Sequence, residues 1–120
     1  MIKELQKILL YDFKDKDLLK QSLVHKSFDN KRNNEKLEFL GDRVLGLVLS
    51  KKLIEIYPDD KEGIIDKKLA NLVNKKTCTA IAKELNIKKF MYFGLSQKSL
   101  TNTADKSIGD CIEALIGAIF

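Results

Sequence analysis

Four carboxylates in this chain are spaced so that two helices could hold one cation between them. Glu38 and Asp42 are four residues apart within NEKLEFLGDRVLGLVLS (34–50), and Asp110 and Glu113 are three apart within GDCIEALIGAIF (109–120). On helices, each pair shares a face. The stripe carrying Glu38 and Asp42 continues to Leu45 and Leu49, so it turns apolar instead of remaining a solvated charged face. Carboxylates aimed toward an interior are costly unless a cation meets them. If the two segments pack side by side, four negative charges converge, and like charges at short range resist joint ionisation. A divalent cation removes that penalty, and hard oxygen ligands select Mg²⁺ or Mn²⁺ over Zn²⁺. Such sites suit phosphodiester hydrolysis, where the metal orients the phosphate, activates water and stabilises the leaving oxygen. The competing reading pairs each acid with a nearby base, such as Lys31, Arg43 or Lys106. Most helix acids are surface groups, but that leaves unexplained why both pairs sit in the least polar helices of a Lys-rich chain. Spacing alone leaves both readings open.

The elements that would position these acids are helical. The periodicity predicts a short helix over 2–10 with Ile2, Leu5, Ile8 and Leu9 inward, and a second over 16–24 with Asp15 as N-cap and Leu18, Leu19 and Leu23 inward. His25 closes that second helix, where a cap or a hydrogen-bonded structural role is expected rather than catalysis. DNKRNN (29–34) is turn chemistry. A long helix then runs to about Tyr57, its inner line read as Leu37, Leu40, Val44, Leu47 and Val48, before Pro58 ends it. Gly41 and Gly46 fall inside it, where glycine costs about 1 kcal/mol against alanine, so close approach by another helix or by backbone is expected. Two shorter helices follow, 67–74 with Asp66 as N-cap and 77–86 starting at Thr77, with Ile81, Ala82 and Leu85 inward on the latter. Lys68, Asn71 and Lys75 share a face by this spacing and could grip phosphates, although a solvated face is the default. IKKFMYFGL is expected to be strand-like or 3₁₀, and SQKSLTNT a mobile loop. The last helix, 105–120, has Ile108, Ile112, Leu115 and Ile119 as its core stripe, and its small residues Ala114, Gly117 and Ala118 let a neighbour pack close to Asp110 and Glu113.

At 120 residues, with 44% hydrophobic residues, the chain is one domain at most and can bury a core. A net charge of +5 and a pI near 9.1 suit a polyanionic partner or simply solubility. Cys78 and Cys111 form no metal or disulfide pattern, which points to reduced thiols and a cytoplasmic protein. The first residues lack the pattern of a signal peptide. No stretch approaches the roughly 20 apolar residues of a membrane span.

Taken together, these segments resemble the ribonuclease III family. NEKLEFLGDRVL (34–45) closely resembles its signature, LVHKSF (23–28) the short His-Lys-Ser segment before it, EG (62–63) with LANLVN (69–74) the stretch after it, and GDCIEALIGAIF (109–120) its second acidic motif. The resemblance implies an all-α endonuclease domain spanning 1–120 that cuts double-stranded RNA with Mg²⁺, or with Mn²⁺ in its place, in rRNA or mRNA processing. Products would carry 5′-phosphate and 3′-hydroxyl ends with short 3′ overhangs. Glu38, Asp42, Asp110 and Glu113 match the metal-binding acids, Asp42 and Glu113 the active-site positions, and Glu35 and Glu62 supporting acids. The family acts as a homodimer in which the signature helices meet and each subunit supplies one site. Phe39 matches an aromatic that plugs into the partner; it lies off the expected inner line and needs burial elsewhere.

There are departures. Asp66 stands where a Ser is frequent, Leu69 where an Arg is common, and Gly109 where the family has Ala. The basic residues near Leu69 are Lys67 and Lys68, which lack the bidentate fork of Arg. The family continues beyond the equivalent of Phe120 into more helix and a double-stranded-RNA-binding domain, so the chain is expected to be C-terminally truncated, with weaker RNA affinity because fewer phosphates are neutralised. Truncation and the missing Arg also motivate an alternative: a non-catalytic RNA-binding or assembly module that keeps the fold.

Overall fold

The structure is a computed structural model that describes residues 1–94 and 101–120, with side chains for 1–94 and 105–120. The fold is all-α. Helices α1 (Ile2–Leu9), α2 (Lys16–Ser22), α3 (Glu35–Ile56), α4 (Glu62–Leu72) and α5 (Lys75–Glu84) are followed by a 3₁₀ turn (Ile87–Phe90) and α6 (Thr101–Ile119). Among the described residues the only sheet-like pairing is an isolated parallel bridge between Val24 and Tyr92. IKKFMYFGL thus combines both expected forms, a 3₁₀ turn and then a bridged residue.

The middle of α6 is buried on nearly every side, with Ile108, Cys111, Ile112, Ala114, Leu115 and Ala118 all in the core. Helices α3, α5 and α2 and the 3₁₀ turn pack around it. The closest approach is between α3 and α6, where Gly41 faces Gly117. A Cβ on Gly41 would overlap the Glu113 carbonyl, and one on Gly117 would overlap the Leu37 carbonyl. This is the contact expected of a mid-helix glycine. Gly46, by contrast, faces open space.

Helix ends follow local chemistry. Asp15 caps α2 by accepting from the N–H groups of Asp17 and Leu18, as expected. Helix α5 starts two residues before Thr77, because Asn74 is the cap and its side chain accepts from the Thr77 N–H. Helix α4 starts at Glu62 instead of 67, which puts Asp66 inside the helix and Glu62 in the first turn, where a carboxylate favours the helix dipole. Helix α6 begins at Thr101, so the expected loop SQKSLTNT gives its last three residues to the helix, while the remainder of it lies outside the described residues.

The expected inner line of α3 holds only in part: Leu37 is buried and Val44 half-buried, whereas Leu40, Leu47 and Val48 are exposed, and Gly41 and Leu53 are buried instead. The helix is apolar on more than one side, so periodicity cannot tell the face that meets this chain's own core from the face that does not. Ile81 and Ile119, also expected inward, are exposed, and Cys78 is buried on α5 in addition to Ala82.

Candidate functional site

The crossing of α3 and α6 at Gly41 and Gly117 brings the two acid pairs together. Oxygens of Glu38, Asp110 and Glu113 all lie within 4.8 Å of one another. Asp42 stands at the edge of this group: its Oδ2 accepts from Arg43 Nη1 at 2.8 Å, and it is close enough to Glu113 to raise that carboxyl's pKa. Glu113 is the most buried, with 5% of its side chain exposed, against 15% for Asp110 and 27% for Glu38.

The cluster already holds a positive charge. Lys75 Nζ, from the first turn of α5, donates to Asp110 Oδ1 at 2.7 Å, to Glu113 Oε1 at 3.0 Å and to Glu38 Oε1 at 3.4 Å. Arg43 does pair with Asp42, and the Lys106 charge acts on Glu38. Lys31 instead joins a turn in which its own N–H donates to Asp29. The bases expected to neutralise these acids do not include Lys75. No spacing rule links it to them, because it arrives from a third helix.

Electrostatics follow from burial. Desolvation, reinforced by the neighbouring Asp42, pushes the Glu113 carboxyl up to about 7, with Lys75 pulling the other way. Burial and the Asp110 charge raise Glu38. Burial pulls the Lys75 ammonium down, but the hydrogen bonds to Asp110 and Glu113 outweigh it, so Lys75 holds its proton more firmly than an ordinary lysine.

Both acid-bearing helices are pinned from behind. The Asn34 N–H donates to the Val24 carbonyl at 2.9 Å and its side-chain amide to the Ser22 carbonyl at 3.2 Å, fixing the head of α3. His25 sits three residues beyond α2 and is hydrogen-bonded on both ring nitrogens. The Ser27 N–H donates to Nδ1 at 3.1 Å, so Nδ1 is an acceptor and Nε2–H donates to Ser107 Oγ at 3.1 Å. Ser27 Oγ also lies 2.7 Å from Nδ1, and it accepts from the Gly94 N–H at 2.9 Å. Ser107 precedes Asp110 by one helical turn, so His25 holds the α6 turn that presents Asp110. Burial, then the Lys26 charge, lowers the His25 pKa, in keeping with the expected structural role.

Two depressions flank Glu38. One, of about 380 Å³, is lined by His25, Lys26, Glu35, Lys106 and Asp110; the other, of about 390 Å³, by Phe39, Asp42, Lys75 and Glu113. Glu35 therefore borders the acids. Glu62 does not, and lines a separate depression with Ser50 and Leu69. The single face expected for Lys68, Asn71 and Lys75 does not form, because α4 ends at Leu72 and Lys75 opens α5. Lys68 pairs with Asp60 and lies over the Tyr57 ring, Asn71 is exposed, and Lys75 is in the acid cluster.

On α3, Phe39 is 61% exposed with Arg43 stacked over its ring, and Leu47 is 72% exposed. With Leu40 and Ile54 also exposed, Leu40, Leu47 and Ile54 recur every seven residues along one side of the helix.

The family profile described as Ribonuclease-III-like matches residues 15–120. Ribonuclease 3 of Pelagibacter ubique is 52% identical over 117 residues, covering 98% of this chain and 53% of that protein. Ribonuclease 3 of Campylobacter jejuni strain RM1221 is 44% identical over 119 residues, again 98% of this chain and 53% of that protein. The chain thus spans about half the length of the curated relatives it matches. Among solved structures, the nuclease domain of ribonuclease III from Campylobacter jejuni superposes with a TM-score of 0.91 at 42% identity, over 99% of this chain and 84% of that one; that structure is described as flexible in a region involved in dimer formation.

Proposed function

This chain belongs to the ribonuclease III family, and from that membership we propose that it is the catalytic domain of a Mg²⁺-dependent endoribonuclease that hydrolyses double-stranded RNA. The observation that carries the proposal is the convergence of Glu38, Asp110 and Glu113 within 4.8 Å, with Asp42 lining the same depression. The cluster fits a divalent ion: its donors are all carboxylate oxygens, as Mg²⁺ and Mn²⁺ prefer, and it already attracts an ammonium group. Glu38, Asp110 and Glu113 would hold the ion, with Asp42 joining if it releases Arg43. A divalent ion there supplies Lewis-acid polarisation of the phosphodiester and activation of water.

The chain's own residues supply the rest. Glu113, raised to about 7, still carries a proton for part of the time at neutral pH, and ion binding must release that proton. Asp42 and Glu113 are accordingly the active-site acids of the proposal, with Glu35 bordering them as a supporting group and Glu62 assigned the same role by resemblance. Lys26 and Lys106 line the depression beside Glu38 and can meet phosphates on that side. Lys68 and Asn71 remain candidate RNA contacts on α4. A duplex would be read by A-form shape and backbone, with little sequence reading.

A homodimer is part of the proposal. The exposed apolar line of α3, with Phe39 beside it, is the kind of surface that marks a protein interface. Two sites acting on opposite strands would leave the short 3′ overhangs, with 5′-phosphate and 3′-hydroxyl ends. Among the described residues no helix is long and apolar enough to cross a membrane. Cytoplasmic placement belongs to the same proposal, supported by two free, buried thiols.

The test is cleavage of an end-labelled RNA duplex in Mg²⁺ by the wild-type chain and by Glu113→Gln. Cleavage by the wild type alone is expected. Equal cleavage by both would remove the assigned site, and duplex binding without cleavage in Mg²⁺ or Mn²⁺ would favour a non-catalytic RNA-binding module.

A further inference from the structure

Lys75 occupies the space that a divalent ion would need. Its ammonium is 2.7 Å from Asp110, 3.0 Å from Glu113 and 3.4 Å from Glu38, the same three acids whose oxygens converge. An ammonium offers three donors, and here three carboxylates take them. Mg²⁺ requires its oxygens at about 2.0–2.1 Å in near-octahedral array. A cage this small cannot hold both cations, because two positive charges a few ångströms apart in a partly buried site repel by several kcal/mol. One must leave for the other to enter.

We propose that Lys75 is a built-in counter-cation that neutralises the acid cluster before metal loading and swings out when the divalent ion enters, so that it sets the ion concentration at which the site fills. The proposal rests on the metal reading above and adds to it an exchange between two cations. The geometry suits an exchange. The Lys75 side chain is 57% exposed, so only its head is inserted and its stem can rotate away with little loss of packing. Its backbone is fixed independently, because Asn74 caps α5 through the Thr77 N–H and hydroxyl. On release, the ammonium can turn to the outer side of α5, where Lys76, Thr79 and Lys83 line a shallow open depression. There it would face solvent or a phosphate instead of the acids. Lys75 would thus become a phosphate contact only after the site has loaded.

The experiment measures Mg²⁺ binding to the RNA-free chain by calorimetry for wild type, Lys75→Met and Lys76→Met. If the ammonium fills the cage about nine-tenths of the time, removing it tightens binding about tenfold, since apparent affinity scales with the competent fraction. Lys76→Met removes the same charge from a neighbouring exposed position, and screening limits its effect to about twofold. Lys75→Met binding that is unchanged, weaker, or no tighter than that of Lys76→Met overturns the exchange while leaving the metal site standing. Absence of binding to all three chains overturns the metal reading and the exchange with it. A second measurement needs no substitution: amine acylation of the wild-type chain, read by mass spectrometry. Labelling of Lys75 relative to exposed Lys36 is expected to rise when Mg²⁺ is added, and unchanged relative labelling refutes departure of the ammonium.

Discussion

Replacing Glu113 by Gln should change how stability depends on pH, and by an amount the structure sets. The carboxyl is moved from its ordinary 4.5 to about 7 by burial and by Asp42. Between those values the folded chain binds a proton that the unfolded chain does not, so stability falls as pH rises. The penalty is absent below the unfolded value and complete above the folded one. Its full size is about 3 kcal/mol, from about 1.4 kcal/mol for each pH unit of the shift. Gln is close in shape, carries no charge and does not titrate. Urea unfolding of both chains from about pH 5 to about pH 8 isolates the effect as a difference. Glu38, which is raised, and His25, which is lowered and so contributes with the opposite sign, are present in both chains and largely cancel. Glu113→Gln is expected to gain on wild type as pH rises, ending more stable by about 3 kcal/mol, or on the order of 10 °C in Tm. Saturating Mg²⁺ should erase most of the difference at the alkaline end by stabilising wild type. Parallel pH profiles for the two metal-free chains would refute the claim that burial favours the protonated form of Glu113.

Gly41→Ala should destabilise the fold by about 1–3 kcal/mol in urea unfolding, because the added methyl overlaps the Glu113 carbonyl, whereas Gly46→Ala should be neutral or slightly stabilising. His25→Ala leaves the Ser27 N–H and the Ser107 hydroxyl without their ring partner and should cost about 1–3 kcal/mol; its Mg²⁺ affinity should weaken through Asp110 although His25 is no ligand, which calorimetry would detect. If the proposed homodimer forms, Leu47→Asp together with Phe39→Ala should shift sedimentation toward monomer while changing monomer stability by no more than about 1 kcal/mol, since Leu47 is exposed and Phe39 loses only its exposed stack with Arg43.

The acid pairs are legible in sequence because a helix converts spacings of four and three into shared faces, and both faces border apolar stripes. The all-helical fold is legible for a similar reason: one proline and few glycines interrupt long periodic runs. The orientation of α3 is not. Its leucines and valines lie on more than one side, and the residue that faces α6 at the crossing is Gly41, which no hydrophobicity count marks as core. The start of α4 is missed because Asp66 is a good cap by type, yet the turn at Lys61 begins the helix first. Lys75 is missed because its role depends on a tertiary contact. From α5 it reaches acids on α3 and α6 that lie 35 to 38 positions away in the chain.

That contact clarifies how a cluster of acids can exist before any metal arrives. The α3–α6 crossing is fixed by backbone contact at Gly41 and Gly117, and the turn carrying Asp110 is held through Ser107 by His25. Neither constraint involves the carboxylates, so the scaffold brings the acids together whether or not they repel. Two local devices then limit the repulsion: the Lys75 ammonium, and the proton that Glu113 keeps near neutral pH. Both are positive charge that a divalent ion would displace. The preformed site therefore need not rearrange its backbone to load, and the cost of loading lies in releasing a lysine and a proton. Metal affinity should consequently rise with pH as Glu113 loses its proton, by up to about tenfold per pH unit below about pH 7 and levelling off above it. A pH-independent Mg²⁺ affinity across that range would mean that Glu113 is not among the ligands.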